Sequence, residues 1–427
     1  MNYLAPGSFK GILSVLLLIA LLNLPSNAQW TAQVSGTQYP LHSVYFINNS
    51  TGLLISNSTL PNQFNFLGGE IIRTTNGGNN WETVLLDSNL RAKGFYFFDS
   101  NTGFIVGGSY ATRGYFYKTT NGGLNWVDVT PNPFPPHLFN LTFLNNNTGY
   151  AAGNFGVLKS TDSGTNWITV LNANGAYPSW GKIHFVDVNT GFYIHDTGMV
   201  FKTTNGGLNW TSSQIALSPN FRDIKFLNNN TGIIVGTGMI FKTTNQGNTW
   251  LVVNSIVAQD FFSVFFADIN TGYITAEHTV LKTTNSGNSW FSVFSEPADT
   301  IFSAYFINSE TGYVCGDEGR VYKTTSGGVL GINPISNQVP KEFMLYQNYP
   351  NPFNPNTNIQ FAIAKASNVK LTIFDAIGRE VETLVNEYVS PGTYEVKWDA
   401  ARFSSGIYFY KIVTNDYTMA KRMSLIK

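Results

Sequence analysis

The chain has 427 residues, and its 25 Lys and Arg residues balance 25 Asp and Glu residues, so the formal net charge is zero. Only 12% of the residues are charged, which excludes the basic excess typical of nucleic-acid binding. Cys315 is the single cysteine, so no intramolecular disulfide can form and stability must come from burial. The abundant glycine and aromatic residues suit a turn-rich β protein, and the length suits two domains.

The first 28 residues predict a secretion signal. Lys10 precedes an apolar run from Ile12 to Leu24, and small residues stand at Ser26 and Ala28. This order is typical of a signal peptide, with cleavage between Ala28 and Gln29. The apolar run is short for a membrane span, although an uncleaved anchor is the alternative.

Seven repeats follow, each marked by a Thr-Gly pair, and the later pairs lie 40 to 42 residues apart. Each repeat contains four short strand-like segments between Asn-, Gly- and Asp-rich turns, such as LFNLTFL, GYAAG, GVLKST and NWITVL. A four-stranded period near 40 residues predicts the blades of a β-propeller. The pairs begin at Thr51, Thr102, Thr148, Thr190, Thr231, Thr271 and Thr311.

Aromatic residues recur at two registers and predict the core between neighbouring blades. A Phe stands at one position of the first strand in all seven repeats, from Phe46 to Phe306. A Trp stands at one position of the fourth strand in six repeats, from Trp81 to Trp290. The seventh repeat lacks this Trp and the fourth strand. Trp30, however, precedes the first repeat just as each of the other Trp residues precedes the repeat after it. We therefore expect the N-terminal strand to complete the last blade and remove an exposed edge.

The segment KSTDSGTNW contains Ser160, Asp162, Gly164 and Trp167 in a frame that other repeats share. Five other copies have Asn and one has Ser at the position of Asp162. Such a swap removes the charge that a general base needs, so the frame predicts a structural turn between the third and fourth strands. A basic residue precedes each frame, and we expect its stem to pack on apolar surface while its charge reaches water. These residues are Arg73, Lys118, Lys159, Lys202, Lys242, Lys282 and Lys323.

The frame from Ser160 to Trp167 resembles the Asp-box of sialidase-like propellers. The combination of F-x-x-x-x-TG-[YF] with KTTNGG-x-x-W more closely resembles the photosystem II assembly factor, or Ycf48-like, propellers and their secreted bacterial relatives. The resemblance covers Trp30 to Gly328 and implies a fold more than an activity, because its residues belong to turns and core. The expected fold is all-β, with a seven-bladed β-propeller over residues 29–328 closed by the N-terminal strand.

Beyond an expected linker at residues 329–341, residues 342–427 form a second predicted domain. Alternation in VKLTIFD, YEVKWD and IYFYKI between Gly and Pro turns predicts a small Ig-like β-sandwich. The segments YQNYPNPFNP and GIYFYKI…KRMSLIK resemble the type A C-terminal sorting domain of the type IX secretion system. This resemblance implies Sec export and passage across the outer membrane, followed by release or anchoring. An ordinary adhesive Ig-like domain is the alternative.

Irregular inserts fall in the turns after second and fourth strands, opposite the repeated turns, so we expect recognition of a protein or glycan there. Aromatic and Arg side chains are the usual anchors of such surfaces, although loop aromatics also pin their own loops. Trp180 is the first choice, because it is the only propeller Trp outside the repeat register. The candidate residues are Trp180, Tyr177, Phe134, Tyr110, Tyr115, Phe64 and Arg222.

A glycoside hydrolase that uses two loop carboxylates is the rival hypothesis. Its candidates are Asp196, Asp223, Asp260, Glu277, Asp317 and Glu318. A sialidase is disfavoured, because Arg91, Arg113 and Arg222 fall in different repeats and FRDI departs from the sialidase pattern. An assembly factor with a membrane-complex client is a third hypothesis.

The histidines show no metal-ligand spacing, so we predict no catalytic residue, metal or cofactor. We expect a secreted or surface monomer that binds a protein or carbohydrate ligand and the type IX machinery, but no nucleic acid.

Overall fold

The computed structural model describes residues 30–59, 66–88, 90–108, 113–173, 180–217, 220–253, 259–296, 299–328, 332–336, 339–389, 391–401 and 403–427. These residues form antiparallel strands and one short 3-10 helix, Asp317–Gly319, so the all-β prediction is confirmed. In this part of the chain no helix has the length and apolar character needed to cross a membrane.

Seven four-stranded sheets account for the described residues up to 324. Six of them each use four consecutive strands. The first three are β2 (Leu41–Phe46), β3 (Gly52–Thr59), β4 (Phe66–Thr74) and β5 (Glu82–Asp87); β6 (Ala92–Phe97), β7 (Gly103–Gly108), β8 (Gly114–Thr119) and β9 (Val127–Asp128); and β10 (Leu138–Phe143), β11 (Gly149–Gly153), β12 (Gly156–Ser160) and β13 (Ile168–Asn172).

The fourth, fifth and sixth sheets repeat this order. They are β14 (Gly181–Phe185), β15 (Gly191–His195), β16 (Met199–Thr203) and β17 (Thr211–Gln214); β18 (Asp223–Phe226), β19 (Gly232–Gly236), β20 (Met239–Thr243) and β21 (Leu251–Val252); and β22 (Phe261–Phe266), β23 (Gly272–Ala276), β24 (Thr279–Thr283) and β25 (Phe291–Ser295). The second strands β7, β11, β15, β19 and β23 are buried along their whole length, because a neighbouring sheet covers each face.

The seventh sheet joins the two ends of the repeat array. Its order is β1 (Thr31–Val34), β28 (Arg320–Thr324), β27 (Gly312–Gly316) and β26 (Ile301–Phe306). Thr31 pairs with Lys323 and Gln33 pairs with Val321. Trp30 is buried, donates from Nε1 to Val293 O at 3.2 Å, and meets Phe306 edge-on at 6.1 Å. The first strand therefore supplies the missing outer strand, as its Trp spacing predicted.

The Phe that recurs at one position of each first strand, here named the register Phe, packs between neighbouring sheets. Its ring requires a glycine in the Thr-Gly pair that follows. Phe46 stacks on Tyr313 of the preceding sheet at 4.0 Å and meets Trp81 edge-on at 6.0 Å. A Cβ at Gly52 would lie 2.6 Å from the Phe46 ring, which is closer than real Cβ contacts. The ring therefore excludes any side chain from the Gly position of the Thr-Gly pair.

The frame from Ser160 to Trp167 forms the turn between β12 and β13. Ser160 Oγ accepts from Gly164 N at 2.9 Å, and Asp162 Oδ1 accepts from Asn166 N at 2.8 Å. Trp167 Nε1 donates to Gly164 O at 3.0 Å. In the second repeat an Asn oxygen accepts the corresponding bond at 2.9 Å, so the turn does not need a carboxylate.

The basic residues before the frame bind the next sheet. Lys159 Nζ donates to Gly206 O at 2.8 Å, and Lys323 Nζ donates to Gly77 O at 2.9 Å. We expected these charges to reach water, but in these two repeats the ammonium groups satisfy carbonyl oxygens of the adjacent turn. Each such bond joins two sheets on the side of the molecule that carries the Thr-Gly and frame turns, here named the turn face.

Residues beyond 331 form a β-sandwich. One sheet has the order β29 (Ile332–Ser336), β34 (Gly392–Asp399), β31 (Asn356–Ile363) and β30 (Met344–Leu345). The other has the order β33 (Glu380–Val389), β32 (Ser367–Asp375), β35 (Gly406–Val413) and β36 (Thr418–Leu425). Both sheets contribute to one core, in which Trp398 and Tyr410 are fully buried.

The expected linker is not structureless along its described part. Residues 332–336 form β29, which pairs with β34 and extends the sandwich sheet. The free backbone edge of β34 explains this pairing, because an unpaired strand edge recruits any extended segment nearby. Part of the segment that the Pro and Gly content assigned to the linker is therefore a strand paired with the sandwich.

Candidate binding site at the mouth of the central axis

The first strands of the seven sheets surround a central axis. Each first strand lies against the first strand of the next sheet, and β26 lies against β2. The Thr-Gly turns end these strands at the turn face, so the strands begin on the opposite side. A cavity of about 220 Å³ opens at those beginnings. We name it the mouth; it is lined by His42, Ser43, Lys93, Phe139, Trp180, Lys182, Arg222, Phe262, Ser263, Phe302 and Ser303.

β-Bulges direct side chains into the mouth. In five first strands the pairing register shifts at one residue, and that residue lies four positions before the register Phe. A bulge places two residues opposite one and re-aims their side chains. At three of the five bulges the bulged residue and its successor both line the mouth, as Phe262 and Ser263 do. The bulged residues are His42, Lys93, Phe139, Phe262 and Phe302.

Lys93, Lys182 and Arg222 come from three different sheets and form what we name the cationic half of the mouth. Among the described lining residues there is no Asp or Glu to balance them. Arg222 Nε is buried and has no hydrogen-bond partner in the described part of the chain. This half is therefore suited to an anionic ligand, because buried charges need a counter-charge or hydrogen bonds.

Trp180 lies between the cations and holds them in place. Its ring stacks on Phe139 at 4.5 Å. Lys93 Nζ and Arg222 Cζ lie 5.2 and 5.1 Å from its centroid, within cation–π range. The Trp180 backbone N–H donates to Asp196 Oδ2 at 3.1 Å, which fixes the start of the strand. Trp180 thus orients two cations as well as lining the cavity.

The remaining lining residues form what we name the neutral half, with His42, Phe262, Phe302 and the serines Ser43, Ser263 and Ser303. Phe302 packs against His42 at 5.1 Å and against Phe262 at 5.4 Å. Burial, assisted by the charge of Lys93, lowers the pKa of His42 to about 3. His42 is therefore neutral at physiological pH and adds no charge to the site.

Lys93 is the titrating cation of the mouth. Burial, followed by the charges of Arg91 and Lys182, lowers its pKa to about 8. The ammonium form therefore predominates below pH 8 and is lost as the pH rises above it. The charge of the cationic half therefore changes with pH around the pKa of Lys93, about 8.

The structure brings two predicted site residues, Trp180 and Arg222, together at the mouth. Phe134 is 53% exposed but stacks under Arg113, whose Cζ lies 4.5 Å from its ring. Tyr115 is only 8% exposed and packs in the core between the first two sheets. Neither lines the mouth. Phe64, Tyr110, Tyr177, Ala28 and Gln29 lie outside the described residues, and their roles stay predictions.

Sequence reasoning missed most of the mouth, although one signal was available. The residues four positions before the register Phe form a column that reads His42, Lys93, Phe139, Gly181, Arg222, Phe262 and Phe302. Its variability contrasts with the constant turns.

Four of the six loop carboxylates proposed for hydrolysis accept backbone N–H groups or pair with Arg. Asp223 accepts from Ile224 N and Val264 N, each at 3.0 Å, and Asp317 accepts from Thr300 N at 3.2 Å. Glu318 pairs with Arg320 at 2.9 Å. Glu277 N donates to Asp260 O at 3.2 Å, a bond between backbone atoms that involves neither carboxylate. With Asp196 bound to Trp180, none of the six lines the mouth.

Within the ranges that the structure describes, no group of three or more His, Cys, Asp or Glu side chains could hold a metal ion. The lining residues of the mouth offer charge, hydroxyl groups and aromatic surface.

Radially arranged four-stranded sheets around a lined axis define a β-propeller, here followed by a β-sandwich. The chain belongs to the photosynthesis system II assembly factor YCF48 family, whose model matches residues 74–216 and 207–329. Residues 347–426 match the secretion system C-terminal sorting domain, which marks the chain for type IX secretion. No curated protein is significantly similar to the chain.

Solved structures share the fold at low identity. YCF48 bound to a D1 peptide is 17% identical with a TM-score of 0.57, covering 70% of this chain and 97% of that one. The GH74 xyloglucanase of Xanthomonas campestris is 11% identical with a TM-score of 0.54, covering 78% and 59%. PorZ, a surface component of the type IX system of Porphyromonas gingivalis, is 13% identical with a TM-score of 0.50, covering 88% and 58%. At these identities the likeness shows the fold alone.

Proposed function

We propose that this protein is a secreted or surface-displayed propeller that binds an anionic partner, protein or glycan, at the mouth. The observation that carries the proposal is the cationic half, where Lys93, Lys182 and Arg222 converge without a carboxylate among the described lining residues. Bringing three like charges together in a cavity is unfavourable until a ligand supplies the opposite charge. A ligand that does so gains charge-assisted hydrogen bonds, which are stronger than neutral ones.

The export route of this proposal rests on the sorting domain at residues 347–426. We infer that a signal peptide at residues 1–28 precedes it and that type IX machinery recognises the sandwich. Export favours a partner outside the cell over the membrane-complex client of an assembly factor. The D1 peptide bound to the related YCF48 propeller supports partner binding as the use of this fold.

We infer that the seven sheets are the blades of one closed, seven-bladed propeller over residues 29–328. The contact of β26 with β2 and the pairing of β1 with β28 support this count. The second domain, proposed at residues 342–427 after a linker at 329–341, is then Ig-like in its two packed four-stranded sheets. The pairing of β29 with β34 supports moving its start to about residue 332.

Binding rather than hydrolysis is the activity that the carboxylates favour. A glycosidase needs a pair of carboxyl groups flanking the scissile bond. Asp196, Asp223 and Asp317 accept backbone N–H groups at strand starts. Release of reducing sugar by the wild-type protein, abolished in Asp196→Asn or Asp223→Asn, would overturn the non-enzymatic assignment.

Calorimetric titration of the full exported chain tests the proposal. The probes are hexaglutamate and hexagalacturonate as anions, with neutral maltohexaose and hexalysine as controls. We expect at least one anion to bind, neither control to bind, and Arg222→Ala to weaken binding by about tenfold or more. Lys202→Ala is the matched control, because Lys202 donates to Gln246 O at 2.7 Å on the turn face. Absence of anion binding, or equal weakening by both variants, would refute the proposal.

A further inference from the structure

The mouth has two chemically different halves, and a ligand must satisfy both. The cationic half places Lys93, Lys182 and Arg222 on the second, fourth and fifth sheets. The neutral half places aromatic rings and hydroxyl groups on the first, sixth and seventh sheets. A ligand that carries only negative charge would leave the second set of groups unused.

The bulges give the neutral half a repeated unit. At Phe262–Ser263 and Phe302–Ser303, the bulged aromatic residue and the following serine both face the cavity, and His42–Ser43 repeats the arrangement with an imidazole ring. A planar ring beside a hydroxyl group matches a pyranose, which presents an apolar C–H face and hydroxyl edges. Aromatic side chains offer large rigid surface for such a face, and hydroxyl groups both donate and accept.

We propose, resting on the proposed function, that the ligand is an acidic polysaccharide and that one uronate ring of it seats in the mouth. The carboxylate of that ring meets the cationic half, while its C–H face and hydroxyl groups meet the neutral half. The cavity of about 220 Å³ is smaller than the usual ligand site, so it holds one ring while neighbouring sugars lie along the rim.

Acidic peptides and neutral sugars each match only half of the site. An Asp or Glu side chain brings a carboxylate on a flexible stem but no rigid ring face for Phe262 and Phe302. A neutral sugar offers hydroxyl acceptors but no negative charge, so it leaves the three cations without a counter-charge. The uronate supplies the negative charge and the ring together.

The experiment compares three hexamers by calorimetry with the full exported chain: hexagalacturonate, its carboxyl-reduced neutral form, and hexaglutamate. We expect hexagalacturonate to bind at least tenfold more tightly than either other hexamer. Arg222→Ala and Phe262→Ala should each weaken its binding by about tenfold. Ser263→Ala, which removes only a hydroxyl group, should weaken it severalfold and serves if Phe262→Ala does not fold. Lys202→Ala should leave it unchanged.

The outcomes separate this inference from the proposed function. Hexaglutamate binding as tightly as hexagalacturonate, with no effect of Phe262→Ala or Ser263→Ala, would overturn the glycan inference and leave anion binding intact. Equal binding of the carboxyl-reduced hexamer would also overturn it. Failure of both anionic hexamers to bind would overturn the proposed function as well.

Discussion

The turn face and the mouth are built from the two ends of the same first strands, yet they obey opposite rules. At the turn face an Asn or Asp oxygen accepts the same two backbone N–H groups in every repeat, from Asn48 to Asn308. At the mouth the corresponding position holds His, Lys, Phe, Gly or Arg. The comparison teaches that repetition secures the fold, whereas departure from repetition marks the site.

The largest effect is expected where the repeat is completed by a distant part of the chain. Trp30→Ala removes a buried ring that packs on Phe294 and Phe306 and donates to Val293 O. We expect the free energy of unfolding to fall by about 3–5 kcal/mol. Denaturant titration measures it, and Val34→Ala on the same strand, at a side chain 83% exposed, is the control. Equal stability of both variants would show that the first strand does not close the seventh sheet.

The difference between the turn face and the mouth also explains which residues could be predicted from the sequence. Phe46, Trp81 and the turn residues were visible because seven copies share their packing and hydrogen bonds. Lys93 and Phe139 were not, because the bulge at their position has no sequence signature of its own and the seven copies there carry five different residue types. Trp180 was found only because it falls outside the register. The pairing of residues 332–336 depends on the free edge of β34, which no local pattern reveals.

A second prediction sets one lysine of the turn face against one arginine of the mouth. Lys242 is 8% exposed and donates to Ser286 O at 2.8 Å and Asn288 Oδ1 at 2.7 Å. Lys242→Met should lower the free energy of unfolding by about 1–3 kcal/mol without changing anion affinity. Arg222→Met should weaken anion binding and leave the free energy of unfolding nearly unchanged, because Arg222 Nε has no hydrogen-bond partner to lose. Thermal unfolding measures the stability of both variants, and calorimetry measures their anion affinity. Loss of affinity in Lys242→Met, with loss of stability in Arg222→Met, would contradict the separation of fold and site.

A third prediction concerns pH. Lys93 has a pKa lowered to about 8 and faces Trp180, Arg91 and Lys182, while His42 stays neutral. Anion affinity should therefore be constant from pH 6 to 7 and fall severalfold between pH 7 and 9, as the ammonium loses its proton. Titrations across this range measure it. Lys93→Met should bind more weakly and show a flat profile; a profile that keeps its slope in this variant would assign the titration to another group.

The smallest effect is expected at the Asp of the repeated turn. Asp162→Asn keeps the acceptor for Asn166 N and reproduces the residue that other repeats already use. We expect a melting temperature indistinguishable from wild type at pH 7. Asp162→Ala, which removes the acceptor, is the matched variant and should melt lower. A clear loss in Asp162→Asn would mean that the carboxylate has a role beyond the turn.

The pairing of β1 with β28 also sets the order in which the molecule can mature. During synthesis Thr31 emerges early and its partner Lys323 late, so β28 lacks its outer neighbour until nearly the whole repeat array exists. An open strand edge invites pairing with other chains, and contacts between distant residues form slowly. The match to the sorting domain begins at residue 347, after β28 has ended at Thr324. The seventh sheet can therefore acquire its outer strand before the sorting domain has been synthesised.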